Sequence, residues 1–161
     1  MFYKMNLWSK TYLILLVTLF LVACQTIDLY EQTTTYPEHQ WSSKQVNQYQ
    51  FNIADSNARY NMFFVIRHHN AYHYKNIWLQ VTSQATGDSI QKQTININLA
   101  DDMNGWLGSG MDDIYDHRVL MNTQPLKLPK GSFKVSIQQI MREDPLQNIL
   151  TTGVRVEKAK P

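Results

Sequence analysis

Apolar and polar residues alternate with a period of two along most of this chain. Tyr49, Phe51 and Ile53 alternate with Gln50 and Asn52. Ile77, Leu79 and Val81 run through "IWLQV", and Ile95, Ile97 and Leu99 alternate with Asn96 and Asn98. Phe133, Val135 and Ile137 repeat the pattern, as do Val154 and Val156. Strict alternation predicts strands with one face in a core and one in water. "MFFVI", residues 62–66, is a continuous apolar run and predicts a strand buried on both faces. Turn chemistry punctuates these runs at "ATGDS" (85–89), "LPKGS" (128–132) and "REDPLQN" (142–148). No segment carries a long helical period with caps. The expected fold class is all-β, a single antiparallel β-sandwich domain.

The N-terminal pattern differs. Lys4 and Lys10 precede an uncharged apolar run, "YLILLVTLFLVA" at 12–23, which is shorter than the roughly 17–25 residues of a bilayer span. It fits a secretory signal and ends in "LVAC", similar to a bacterial lipobox. Ala23 is small enough to let a peptidase approach the backbone, and the Cys24 thiol can accept a diacylglycerol. The expected organisation is a lipoprotein signal peptide at 1–23, a lipidated N-terminus and tether at 24–41, and the sandwich at 42–161. The polar, threonine-rich "TIDLYEQTTTYPEHQW" (26–41) suggests the tether because it lacks any sustained period.

Composition adds two constraints. Cys24 is the one cysteine, so its lipidation leaves no thiol for a disulfide, metal or nucleophile. The net charge of +2 equals the contribution of Lys4 and Lys10, so charges in the remainder balance. A balanced domain gives no reason to expect nucleic acid or a polybasic lipid contact. The membrane is reached through the lipid anchor, and no cofactor is expected beyond the covalent diacylglycerol and N-acyl lipid on Cys24.

"GWLGSGMDDIYDH", residues 105–117, is the segment richest in candidate chemistry. An EF-hand alignment on Gly105 places Asp102 and Asn104 correctly but puts Ala100 and Met111 where the first and last ligands belong. A different calcium site from Asp112, Asp113 and Asp116 stays open beside a plain solvated turn. His68, His69 and His73 cluster in "RHHNAYHYKN", but zinc needs three or four converging ligands, and His117 helps only if the fold brings it near. His68 is expected to hydrogen-bond at a strand end while the others face water. No metal and no catalytic residue is expected. Carboxylates are present (Asp101, Asp102, Asp112, Asp113, Asp116, Glu143), yet spacing alone cannot pair them across a glycosidase cleft. Tyr72, Tyr74, Trp78, Trp106 and Tyr115 suggest either a sugar-stacking platform or core filling. The candidate partner or ligand loop comprises Trp106, Asp112, Asp113, Tyr115 and Asp116. Its glycines predict a close turn that Trp106 and Leu107 pin against the sandwich.

Three segments, "VIRHHNAYHYKNIWLQV" (65–81), "LADDMNGWLGSGMDDIYDHRV" (99–119) and "QQIMREDPLQNILTTGVRVEK" (138–158), together resemble the gliding-motility lipoprotein GldH family of the Bacteroidota. The lipobox agrees. The sequence departs from the family pattern at His73, where proline is usual, at His69, where threonine is usual, and at Met111, near which the family carries a glycine. A family-wide metal site built on His69 and His73 is therefore not implied. The resemblance implies a non-enzymatic envelope lipoprotein tied to gliding and to type IX secretion, with envelope proteins of that apparatus as partners. "QTIDL" after Cys24 lacks an acidic cluster that would resemble a surface-export signal, so an outer-membrane anchor with the domain facing the periplasm is expected. The alternatives are a carbohydrate-binding module and, behind it, a hydrolase.

Overall fold

The computed structural model describes residues 29–160. Every regular element among them is a strand. In chain order these are β1 (Leu29–Thr35), β2 (Gln40–Trp41), β3 (Asn47–Ile53), β4 (Arg59–His69), β5 (Asn76–Ala85), β6 (Gln91–Asn98) and β7 (Ala100–Asp101). There follow β8 (Gly105–Trp106), β9 (Ser109–Met111), β10 (Ile114–Leu120), β11 (Leu126–Lys127), β12 (Gly131–Gln139), β13 (Leu146–Gln147) and β14 (Ile149–Lys158). A six-stranded sheet runs β1-β14-β4-β10-β9, with β11 also on β4, and a four-stranded sheet runs β3-β12-β5-β6. All pairings are antiparallel.

The two sheets share one core. Tyr49, Phe51 and Ile53 of β3, Ile77, Leu79 and Val81 of β5, and Val135 and Ile137 of β12 point inward from one layer. Met62, Phe64 and Ile66 of β4 and Val154 and Val156 of β14 answer from the other. The fold is therefore the expected all-β sandwich, and every alternating run lies in a strand except that Leu99 falls just past the end of β6. In the run at 62–66, Met62, Phe64, Val65 and Ile66 are buried but Phe63 is only half-buried, and β4 sits inside its sheet, between β14 and β10.

The expected tether is corrected over most of its length. Residues 29–35 form β1, which pairs with β14 from Leu29↔Glu157 to Thr35↔Thr151. Tyr36 is buried, its hydroxyl 2.7 Å from that of Thr152, and Trp41 is fully buried. The sandwich thus includes Leu29 onward rather than starting at 42. β1 is an edge strand with mostly exposed side chains, so no apolar alternation marks it. Its threonines favour extended backbone, and Gly153 lets it approach β14 closely, since a Cβ there would lie 2.4 Å from the Gln32 carbonyl oxygen. Cys24 and the signal segment lie outside the described residues.

Candidate functional site

The inward row of β4, Tyr60, Met62, Phe64 and Ile66, ends in His68. On the neighbouring strand Tyr115 pairs with His68 and His117 with Ile66. His117 thus sits diagonally across from His68 on the same face, within reach for rings of this size. Their Nε2 atoms are 3.0 Å apart, and both residues are buried. His68 Nδ1 lies 2.8 Å from the His69 carbonyl oxygen, which can only accept, so Nδ1 carries the proton. His68 Nε2 is then the acceptor and His117 Nε2–H the donor. This chain of bonds requires the His68 ring to be neutral, since its Nε2 must keep a lone pair to accept from His117 Nε2–H. Burial lowers the pKa of His68, and burial followed by repulsion from His68 lowers that of His117 to about 4.

An aromatic shell closes this end of the core. Trp106 meets His68 edge-on at a centroid distance of 4.4 Å, and Tyr115 stacks on it at 5.9 Å. Tyr72 packs at 5.2 Å. Trp106 arrives on the short β7–β8 hairpin, whose turn is tied by Asp101 Oδ1 accepting from the amides of Met103 and Asn104. Its indole Nε1 donates to Asn70 Oδ1 at 2.7 Å, and the Asn70 amide donates to the Asp113 carbonyl at 2.7 Å. The loop after β4 therefore ties the tryptophan to the β9–β10 turn.

The glycines act in two ways. Gly105 has φ +68°, the left-handed conformation expected of a tight turn. Gly108 and Gly110 are needed for space. A Cβ on Gly108 would come within 2.8 Å of the His117 ring, and one on Gly110 within 2.7 Å of the Tyr115 ring.

The five loop residues separate into three groups. Trp106 and Tyr115 stand together over the histidine pair. Asp116 faces outward, where both its oxygens accept from Arg67, at 2.6 and 2.9 Å. Asp112 and Asp113 form the two-residue turn between Met111 and Ile114, with Asp112 at φ +56°. The turn does not join Asp116 to the other two aspartates. Among the described residues no group of three or more His, Cys, Asp or Glu side chains has metal-binding spacing. His69 and His73 diverge. The His69 ring lies 5.0 Å from that of His39, and His73 Nδ1 lies 3.0 Å from Glu143 Oε2. Burial pushes the Glu143 carboxyl up, but hydrogen bonds from His73, Tyr74 and the Gln147 amide together hold it below the ordinary glutamate value. The five aromatics also part company: Tyr72 is core, Trp106, Tyr115 and Tyr74 are partly buried, and Trp78 is the most exposed of the five, at 42%.

The histidine pair is the feature that the sequence reading missed. His68 occupies the next even position after Ile66, which is a legible signal. Its pairing with a residue 49 positions away depends on strand register, which is not.

Comparison with known proteins gives a consistent picture. The sequence profile of the GldH lipoprotein family matches residues 28–156. The chain is similar to a "Gliding motility lipoprotein GldH homolog" of Christiangramia forsetii, 27% identical over 128 residues that span 75% of this chain and 79% of the relative. It is also similar to the "Gliding motility lipoprotein GldH" of Flavobacterium johnsoniae, 25% identical over 153 residues that span 91% of this chain and 94% of the relative. Among solved structures, the VP2 subviral particle of infectious bursal disease virus overlaps 84% of this chain and 34% of its own, at 16% identity and a TM-score of 0.37. An overlap at that score carries no argument.

Proposed function

The chain belongs to the GldH lipoprotein family, and from that premise we propose that it is a lipid-anchored, non-catalytic component of the gliding-motility and type IX secretion apparatus. In this reading Cys24 carries the lipids, the anchor lies in the outer membrane, and the domain faces the periplasm. The connection is short. Leu29 already belongs to the sandwich, and an extended chain spans at most about 3.3–3.6 Å per residue, so β1 lies within roughly 20 Å of the anchored cysteine. The domain is therefore held close to the membrane, with Leu29 level with the start of β4 and the β9–β10 turn level with its end.

The observation that carries the docking role is the exposed apolar set on β7–β10 and its turns. Met103 is 94% exposed, Met111 80% and Leu107 50%, on backbone braced from below by Trp106, Tyr115 and the histidine pair. Methionine is enriched at protein interfaces and adapts its shape to a partner. Apolar side chains held on a rigid base suit an envelope protein as partner. The buried histidines are committed to each other and to a carbonyl, which suits a structural base better than acid–base chemistry.

The test places a photo-crosslinking residue at Met111 or, as a control on the other sheet, at Gln93 in living cells. The expected outcome is a discrete envelope-protein adduct from position 111, absent from position 93, and lost with membrane fractionation when Cys24→Ala is added. Equal labelling from both positions would sink the docking role.

A further inference from the structure

The outward face of the four-stranded sheet has an unusual chemistry. Its central side chains are Gln48 of β3, Lys134 and Ser136 of β12, and Gln80, Thr82 and Trp78 of β5. The strand register brings them into adjoining rows, with Gln48 opposite Ser136 and Ser136 opposite Thr82. No outward position on these four strands holds a carboxylate, whereas Lys92 and Lys134 supply positive charge. Gln48, Gln80, Thr82 and Ser136 make no side-chain hydrogen bond to another described residue. The surface is dished as well. A depression of about 430 Å³ opens over Gln48, Thr82, Lys134 and Ser136, with the 64%-exposed Ile90 as its apolar wall.

We propose that this face binds an extended glycan in which acidic sugars alternate with neutral ones. A primary amide offers two donors and an acceptor oxygen, and a hydroxyl offers both roles, so the free groups here match sugar hydroxyls, which also both donate and accept. Trp78, 42% exposed at one end of the β5 row, presents an apolar ring to the C–H face of a sugar. The row from Trp78 to Gln84 is about 20 Å long at a strand's rise per residue, enough for several sugar units. The depression lies within the roughly 300–1,000 Å³ typical of small-molecule sites. Lysines on strands that present no carboxylate favour a ligand that carries negative charge. A protein partner fits less well, because interface cores favour aromatics and methionine over this density of amides. The site is on the sheet opposite the methionine-bearing loop and stands independently of the docking proposal. It also relocates the sugar chemistry from Trp106, whose indole nitrogen is already bonded, to Trp78.

The full chain in detergent micelles is titrated calorimetrically with hyaluronan hexasaccharide, in which N-acetylglucosamine alternates with glucuronate, and with neutral chitohexaose. Hyaluronan hexasaccharide is expected to bind and chitohexaose to bind more weakly. Lys134→Gln is expected to weaken the former about tenfold, the size of one charged hydrogen bond, and Trp78→Ala to weaken both. Leu120→Ala, on the other sheet, is expected to change neither. All three side chains face solvent, and circular dichroism checks that the variants fold. Absence of binding, equal affinity for the two sugars, or affinity indifferent to Lys134→Gln and Trp78→Ala overturns the proposal.

Discussion

Phe64 and His68 lie on the same strand, point into the same core and are both fully buried, yet opposite physics keeps them there. Phe64 is surrounded by aliphatic and aromatic side chains from both sheets, and removing its ring from water is favourable in itself. His68 carries two ring nitrogens whose burial costs free energy unless each finds a partner. It is tolerated because the His69 carbonyl and His117 supply those partners. The middle of the sandwich is thus held by area, and its Trp106 end by matched polar groups under an aromatic cover. The first is stable under any mild condition. The second depends on protonation.

The largest expected effect breaks the apolar half of this contrast. Phe64→Ala leaves a cavity between the sheets and should lower unfolding free energy by about 3–5 kcal/mol. The loss should be nearly independent of pH from 7 to 4, as read from urea denaturation.

The polar half should respond to pH instead. A histidine whose folded pKa lies below its unfolded value binds fewer protons when folded. Its contribution is complete above the unfolded value of 6.5 and is lost as pH falls toward about 4 for His117. That loss is on the order of 3 kcal/mol, and His68, shifted in the same direction, adds to it. Asp55, Asp101 and Asp144 are held low by hydrogen bonds from neighbouring groups, so their losses come at still lower pH. Stability curves between pH 7 and 4 check the slope. At pH 7, His117→Leu should cost about 1–3 kcal/mol by leaving His68 Nε2 without a donor. The double variant His68→Phe with His117→Leu should recover much of that and flatten the pH slope. If the slope persists in the double variant, the histidine pair is not its source.

The contrast also explains what was legible in the sequence. Phe64, Leu79, Val135 and Val154 belong to alternating or continuous apolar runs, and the strands they predict are present. β1 escaped because an edge strand with exposed side chains leaves no apolar trace. Trp106 and Leu107 were expected to pin their turn against the sandwich; Trp106 packs on the core and bonds to Asn70, whereas Leu107 is half exposed. The reason for two of the glycines was not visible, because Gly108 answers to the Asp116 carbonyl and the His117 ring, and Gly110 to the Tyr115 ring, all brought against them by strand pairing. The histidine pair was hidden for the same reason: its chemistry resides in a register between distant strands. Local pattern reports burial, and only pairing reports which polar groups meet.

The smallest expected effect sharpens the comparison by adding a third environment on the same two strands. Arg67 lies between Ile66 and His68, so alternation turns it outward, where it faces Asp116 across the β4–β10 pair. The ion pair is bidentate, but both side chains are about half exposed, at 49% and 45%. Water already solvates both charges, so little is gained by pairing them. Arg67→Ala should therefore cost no more than about 1 kcal/mol. The cost should shrink further in 1 M salt, where the screening length falls to about 3 Å. His117→Leu, one position along β10 from Asp116 but facing inward, should be insensitive to the same salt. Denaturation of both variants at low and high salt separates the two. A salt-insensitive loss at Arg67 as large as that at His117 would mean that the outer face of this strand pair is braced as firmly as its buried one.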